Sequence, residues 1–306
     1  MSEETILKTE DLTKRFGKIL ALDRLDLEIL PGQVFGLLGP NGSGKTTAIS
    51  LILGLIRPNS GKVYLFGEER KPENLKRVGV VMDSQGFYPN YSGRDNLRMF
   101  GSLHKPVDDR RVDEVLELVG LTNRAHSSFK SYSMGMKQRL SIAFAILDDS
   151  EFLIFDEPTN GMDPEGIAEI RSLILQFAGQ GKTILLASHL LVEVEQVCTH
   201  LAILKYGRVV KQGELQQLML EAGRSELEMA VTDLEKAVAV LFDAGYNARI
   251  ENTRVVVTAH EGQAQHVTAV LAEHGLFISE MKKRKSNLES VFLEATRRQQ
   301  APKRLT

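Results

Sequence analysis

Residues 39–46, Gly-Pro-Asn-Gly-Ser-Gly-Lys-Thr, satisfy every fixed position of the pattern G-x-x-x-x-G-K-[ST]. The chemistry this spacing suits is phosphate binding. Phosphate oxygens need many short-range donors, and Gly39, Gly42 and Gly44 let backbone N–H groups approach without a clashing Cβ. Pro40, Asn41, Ser43 and Thr47 complete the stretch expected to hold the phosphates of a nucleotide. Lys45 adds a positive charge for the β- and γ-phosphates, and the Thr46 hydroxyl can ligate Mg²⁺.

A second segment, Phe152-Leu-Ile-Phe-Asp-Glu157, is an apolar run ending in two carboxylates. Neighbouring side chains on a strand point in different directions, so Asp156 can reach the metal while Glu157 faces the attacking water. Glu157 is then the general base, or the group that polarises that water. Two exposed loop acids are the alternative; the wholly apolar run and the sharp Pro-Thr-Asn-Gly turn after it weigh against that. Ser188-His189 follows another apolar strand, Thr183–Ala187. From that strand end His189 can hydrogen-bond a γ-phosphate and sense whether it is there, with a purely structural histidine as the alternative.

Ser133-Met-Gly-Met-Lys-Gln-Arg139 carries a third signal. Ser133 is a good helix N-cap, and Met134 to Leu147 has helical apolar spacing. A helix start, with free N–H groups and a positive dipole end, is a ready anion site. Residues 39–46 already form the better phosphate site. Two phosphate sites and one nucleotide pocket suggest that the second serves the nucleotide of another copy.

The chain that must position these groups has 306 residues, enough for one large or two modest domains. Charged residues are 25% and apolar ones 42%, ordinary for a soluble globular protein. The formal charge of −2 argues against a nucleic-acid binder, so no nucleic-acid partner is expected. The apolar stretch Ile49 to Ile56 is far too short to span a bilayer, and the acidic, polar N-terminus is no secretory signal. The single cysteine, Cys198, excludes an internal disulfide framework and fits a reducing compartment.

Apolar and polar residues alternate through 5–36, reading as strands, and Val34–Leu38 is a short apolar strand entering the glycine-rich loop. Thr46–Leu55 has the periodicity of a buried helix. Val63–Phe66, Val78–Met82, Phe152–Phe155 and Thr183–Ala187 are further strands, and 94–147 is mostly helical. Strands separated by helices predict an α/β fold with a mostly parallel sheet and a helical insert at about 92–148. Near Glu221–Ser225 the pattern restarts. The order β-α-β-β-α-β plus a final helix then predicts a small ferredoxin-like α+β module over 225–306, after a first domain over 1–220. The basic end (Arg297, Arg298, Lys303, Arg304) reads as a solvated tail, or else as a membrane-surface contact.

Taken together, these residues resemble the ATP-binding subunit of an ATP-binding-cassette (ABC) transporter, a P-loop ATPase. Residues 39–46 resemble its Walker A loop, Tyr132-Ser-Met-Gly-Met136 its signature sequence, and 152–157 its Walker B strand. Asp163 resembles the aspartate of the loop after Walker B, and His189 the switch histidine. Phe16 falls where the family places an aromatic that stacks on adenine; a core position is the alternative. These motifs occur in the family's order across residues 5–215. The resemblance implies a parallel core sheet with an antiparallel β subdomain, and a head-to-tail dimer enclosing two ATP with Mg²⁺. Ser133 and Gly135 would then contact the phosphates of the nucleotide bound by the other copy. It also implies a separate membrane-spanning permease, a cytoplasmic place on the inner face of the membrane, and the exporter branch linked to drug, antibiotic, lipid or ion export. Soluble family members acting in translation or DNA repair are the rival reading; they usually join two ATPase modules or insert a long coiled coil, and neither occurs here.

Two departures stand out. Met134 and Met136 occupy signature positions where the family's commonest form has glycine and glutamine. The family's glutamine, a ligand toward Mg²⁺ and the link to the membrane partner, aligns with Asp83, with Gln85 two residues later. Asp83 is therefore expected at the metal-ligand position and Gln85 in the partner-facing loop.

Overall fold

The computed structural model describes residues 5–82, 86–103, 106–221, 225–259, 262–284 and 288–297. The chain divides into two compact units, the first running to Leu215 and the second over Gln216–Arg298.

The first unit opens with β1 (Leu7–Phe16) and β2 (Ile19–Ile29), an antiparallel hairpin that turns at Gly17. Leu25, Leu27 and Ile29 of β2 alternate into the core, and a β-bulge with Arg24 at φ +52° returns Leu22 to the same face. Next come β3 (Val34–Leu38), α1 (Lys45–Ile52), β4 (Ser60–Leu65), β5 (Glu68–Glu69), α2 (Pro72–Leu75) and β6 (Val78–Val81). The helical insert follows as α3 (Gly93–Gly101), α4 (Asp109–Leu118) and α5 (Met134–Ala145), with short 3₁₀ turns at Thr122–Arg124 and Phe129–Ser131. Then come β7 (Phe152–Asp156), α6 (Pro164–Gly179), β8 (Thr183–Ser188), α7 (Leu191–Val197), β9 (His200–Lys205) and β10 (Arg208–Glu214), and α8 (Leu215–Glu221) starts at the boundary residue and runs into the second unit.

These strands build two sheets. The antiparallel one has the order β2-β1-β4-β5. The larger has the order β10-β9-β3-β8-β7-β6 and is parallel from β9 to β6, with β10 antiparallel at one edge. Every residue of β3, β7 and β8 is buried, which explains their unbroken apolar spelling: both faces of a parallel sheet are covered. One core cluster joins the two sheets through Leu7, Leu22, Ala48, Ile49, Ile52, Phe152, Ile154 and Leu185. Each leucine, isoleucine and phenylalanine of this set stabilises the fold by roughly 1.5–3 kcal/mol when fully buried, so the strand ends that carry the polar residues are firmly anchored.

The insert has its own packing. Val112, Val115 and Leu116 bury one stripe of α4, while Phe87 meets Phe100 and Phe129 edge-on at 5.5 and 5.3 Å. Ser92 and Asp108 cap α3 and α4 by accepting backbone N–H bonds.

The second unit contains β11 (Ser225–Val231), α9 (Leu234–Asp243), β12 (Asn247–Glu251), β13 (Arg254–Ala259), α10 (Ala264–Glu273), β14 (Ile278–Arg284) and α11 (Leu288–Arg297). Its sheet is antiparallel throughout in the order β12-β13-β11-β14, the split β-α-β arrangement of a ferredoxin-like fold. Leu227, Met229, Val255 and Val257 of the sheet pack with Leu241, Val267 and Leu271 of its helices. Among the described residues no helix is long and apolar enough to cross a membrane. Asp83, Gln85 and the basic tail from Arg298 lie outside the described residues.

Candidate functional site

The polar residues follow the C-terminal ends of neighbouring interior strands of the parallel sheet. Gly39 follows β3, Glu157 follows β7 and His189 follows β8, which lies between the other two. The register pairs Leu38 with Ser188 and Asp156 with Ala187, so the three strand ends stand level. Backbone bonds reinforce this: the Gly39 N–H donates to the Ser188 carbonyl at 3.3 Å and the Glu157 N–H to the Ala187 carbonyl at 2.9 Å.

The 39–46 loop is tightly built. Gly44 has φ of +113°, and a Cβ there would stand 2.7 Å from the Ala21 carbonyl oxygen of β2, so only glycine fits. Gly39 is equally confined, between Ser43 and the Leu204 backbone. Ser43 is 2% exposed, and its hydroxyl has no hydrogen-bond partner among the described residues, although Gly207 donates to its backbone carbonyl. Helix α1 begins at Lys45 without a side-chain cap, which leaves its first N–H groups open to an anion. Pro40, Asn41, Gly42 and Thr46 are exposed and Thr47 is half-buried, so the loop's outer rim faces solvent.

Lys45 itself is 6% exposed. Its ammonium donates to the Gly39 carbonyl at 2.7 Å and sits 3.0 Å from Glu157 Oε1. The other Glu157 oxygen lies 2.7 Å from His189 Nδ1. An ionised carboxylate only accepts, so Nδ1 carries the proton and Nε2 remains for another partner. Glu157 has φ of +50°, a left-handed conformation that costs a non-glycine residue about 1–2 kcal/mol. The strand therefore ends at Asp156, and it is this backbone reversal that aims Glu157 at Lys45 and His189. Asp156 stays in the strand and is 4% exposed.

Two further residues expected at a phosphate occupy helix starts. Ser133 caps α5, accepting from the Met136 N–H at 3.3 Å, and Asp163 caps α6, accepting from the Gly166 N–H at 2.9 Å. Tyr132, just before Ser133, is buried and donates its hydroxyl to the Arg124 carbonyl at 2.7 Å; burial raises its phenol pKa. Among the described residues, no hydrogen bond or ion pair joins Ser133, Gly135 or Asp163 to Lys45, Glu157 or His189. Phe16 is 48% exposed, with the Lys14 ammonium 4.9 Å from its ring centroid, which removes the core alternative and leaves an aromatic face open.

One participant escapes sequence reasoning. The Glu193 carboxylate on α7 accepts from the Thr159 hydroxyl, in the turn after Glu157, and from the Ser188 hydroxyl at 2.8 Å, beside His189. Ser188 in turn accepts from the Leu190 N–H at 3.0 Å. Glu193 thus staples the two strand ends together. The only sequence signal was a carboxylate in the first turn of a helix directly after Ser188-His189.

A buried lysine, a glycine cradle, an open helix start and an anchored carboxylate–imidazole pair suit a nucleotide triphosphate and the water that attacks it. A family model described as ABC transporter matches residues 22–160. The bacitracin transport ATP-binding protein of Bacillus licheniformis is 37% identical over 297 residues, covering 95% of this chain and 97% of that protein. The chain belongs to the ATP-binding subunits of ABC transporters. Its reaction is ATP hydrolysis. The Nod factor export ATP-binding protein of Cupriavidus metallidurans is 36% identical over 96% of this chain and 98% of its own length. Among solved structures, cbiO1 of Clostridium perfringens, part of an ABC transporter complex, superposes with a TM-score of 0.65 at 26% identity, covering 79% of this chain and 98% of its own. The ABC ATPase fold is common to all of these.

Proposed function

We propose that this chain is the ATP-hydrolysing subunit of an exporter whose channel is a separate membrane-spanning permease. The observation that carries this reading is the extent of the likeness: it runs through both units, and the bacitracin transport and Nod factor export proteins share nearly the whole chain. A soluble ATPase of translation or DNA repair would be expected to share the first unit alone. In this reading the chain sits in the cytoplasm, on the inner face of the membrane, through its permease.

The geometry supports the following chemistry. ATP enters with its β- and γ-phosphates in the 39–46 cradle, where backbone N–H groups and the start of α1 receive the charge, and its adenine stacks on Phe16. Lys45 exchanges Glu157 for phosphate oxygens. Glu157, released from that ion pair, accepts a proton from the attacking water, while His189, its proton shifted from Nδ1 to Nε2 once Glu157 turns to the water, donates from Nε2 to the γ-phosphate. The Asp156 carboxylate and the Thr46 hydroxyl are hard oxygen donors that fit Mg²⁺, with Asp83 as a further ligand. When bound, Mg²⁺ neutralises charge on the β- and γ-phosphates. A second copy supplies Ser133, Gly135 and Asp163 to complete each site, giving a head-to-tail dimer around two ATP.

The test is to purify the chain from membranes and from cytosol and identify what accompanies it. A polytopic membrane protein in stoichiometric amount supports the reading. Co-purification with ribosomes or DNA in its place sinks it.

A further inference from the structure

The starts of α5 and α6 are locked together by two methionines. A methyl group placed on Gly161 would stand 3.1 Å from the Met134 Cε and 3.3 Å from its sulfur. Conversely, one placed on Gly135 would stand 3.3 Å from the Met162 Cε, and one on Gly166 only 2.7 Å from that same atom. Each methionine therefore lies across the glycine beside the other. Met134 from the Ser133 segment covers Gly161, and Met162 from the Asp163 segment covers Gly135. A side chain on either glycine would push the facing methionine outward. Further along, Arg139 of α5 and Glu169 of α6 form a second tie at 3.7 Å.

These contacts join two segments with different tasks. The Met162 segment continues the turn after Glu157, whose Thr159 is held by Glu193 to the Ser188–His189 strand end. It therefore follows the state of the chain's own ATP site. The Met134 segment carries Ser133, which is exposed, accepts one N–H bond as a cap, and donates its O–H to no acceptor among the described residues. We propose that the Met134–Met162 cross-packing is an intrachain latch, through which the 157–163 turn of one ATP site positions the Ser133–Gly135 contact lent to the other. Met134 and Met162 are positioning residues in this scheme. A polarisable, unbranched thioether suits such a seam, because it keeps contact while two helix starts shift against each other. The inference rests on the two-copy reading above.

The experiment measures ATP hydrolysis against ATP concentration for the full-length chain and its Met134→Gly, Met162→Ala and Met134→Leu variants. Binding of a fluorescent ATP analogue at low protein concentration is followed in parallel. Two coupled sites allow a Hill coefficient of up to about two. Met134→Gly and Met162→Ala should bring it toward one while analogue affinity stays within about twofold. Met134→Leu, which conserves volume and reach, should retain the cooperativity. A merely structural role would lower thermal stability in the first two without separating cooperativity from affinity. Cooperativity like that of the unaltered chain in both Met134→Gly and Met162→Ala overturns the latch, as does equal loss in Met134→Leu. A Glu157→Gln chain that stays monomeric at saturating ATP removes the two-copy reading instead, and the latch with it.

Discussion

The Lys45 ammonium lies 3.0 Å from Glu157 Oε1, so the cation suited to phosphate and the carboxylate suited to water hold each other in check. Both are largely shielded from solvent, at 6% and 18% exposure, which strengthens their attraction and makes an unpaired partner costly. Nucleotide has to displace one of them. Glu157→Gln removes the competing negative charge and keeps the shape. Turnover should fall at least about 100-fold, as expected for loss of a general base, while ATP binds no more weakly than before. Lys45→Ala should do the reverse, weakening ATP binding by roughly 10- to 100-fold through loss of charge-assisted hydrogen bonds. Single-turnover hydrolysis and equilibrium dialysis separate the two. Unchanged turnover in Glu157→Gln would remove it from the water-activating role.

Glu193 offers a different test, because it touches neither nucleotide nor water in this scheme. Glu193→Ala strands the buried Thr159 and Ser188 hydroxyls and should destabilise the fold by about 2–3 kcal/mol. With the strand ends no longer stapled, Glu157 and His189 lose alignment, so kcat should fall more than ATP affinity. A variant that loses affinity and kcat in equal measure would mean that the staple serves the binding loop instead.

Metal dependence is the third expectation. Removal of divalent cations with EDTA should abolish turnover, and Mg²⁺ should restore it, because the triphosphate charge needs a counter-ion, which Thr46, Asp156 and Asp83 would hold. The Mg²⁺ concentration giving half-maximal rate should rise in Asp83→Ala and stay unchanged in Gln85→Ala. The opposite pattern would exchange their assignments.

Cys198 supplies the fourth. It is buried against Gly36, where an added methyl would meet its sulfur at 3.0 Å, and burial raises its thiol pKa well above the ordinary value. Thiol reagents should label it only as fast as the chain opens. The folded state keeps the proton to higher pH than the unfolded state does. This contribution is therefore fully present below about pH 8.5 and is lost as pH rises beyond it. Stability measured from pH 7 to 10 should fall less steeply in Cys198→Ala.

What could be read from the chain alone was whatever is written locally. The 39–46 loop, the apolar run into Asp156-Glu157 and the cap at Ser133 each depend on neighbours a few residues away, and so do the alternating strands of the second unit. The Glu193 staple was not legible, since it joins Thr159 and Ser188 only after α7 docks on β8. The same holds for Met134 and Met162, separated in sequence and brought together by two helix starts that pack side by side. For Phe16, sequence left core and stacking both open, and its exposure decides against the core. The strand rule for Asp156 and Glu157 was incomplete in one respect: the two diverge because the backbone at Glu157 turns left-handed, beyond the end of regular strand geometry.

The level strand ends have a consequence for chain length. With Leu38 opposite Ser188 and Ala187 opposite Asp156, the site is gauged by residue count along the sheet. Deleting a single residue inside β8 would draw His189 back by about 3.3 Å and turn its side chain to the other face. No rotamer change could return the imidazole to Glu157. The interior strands thus work as spacers of set length, and the chain should accept altered letters in them far more readily than a missing one.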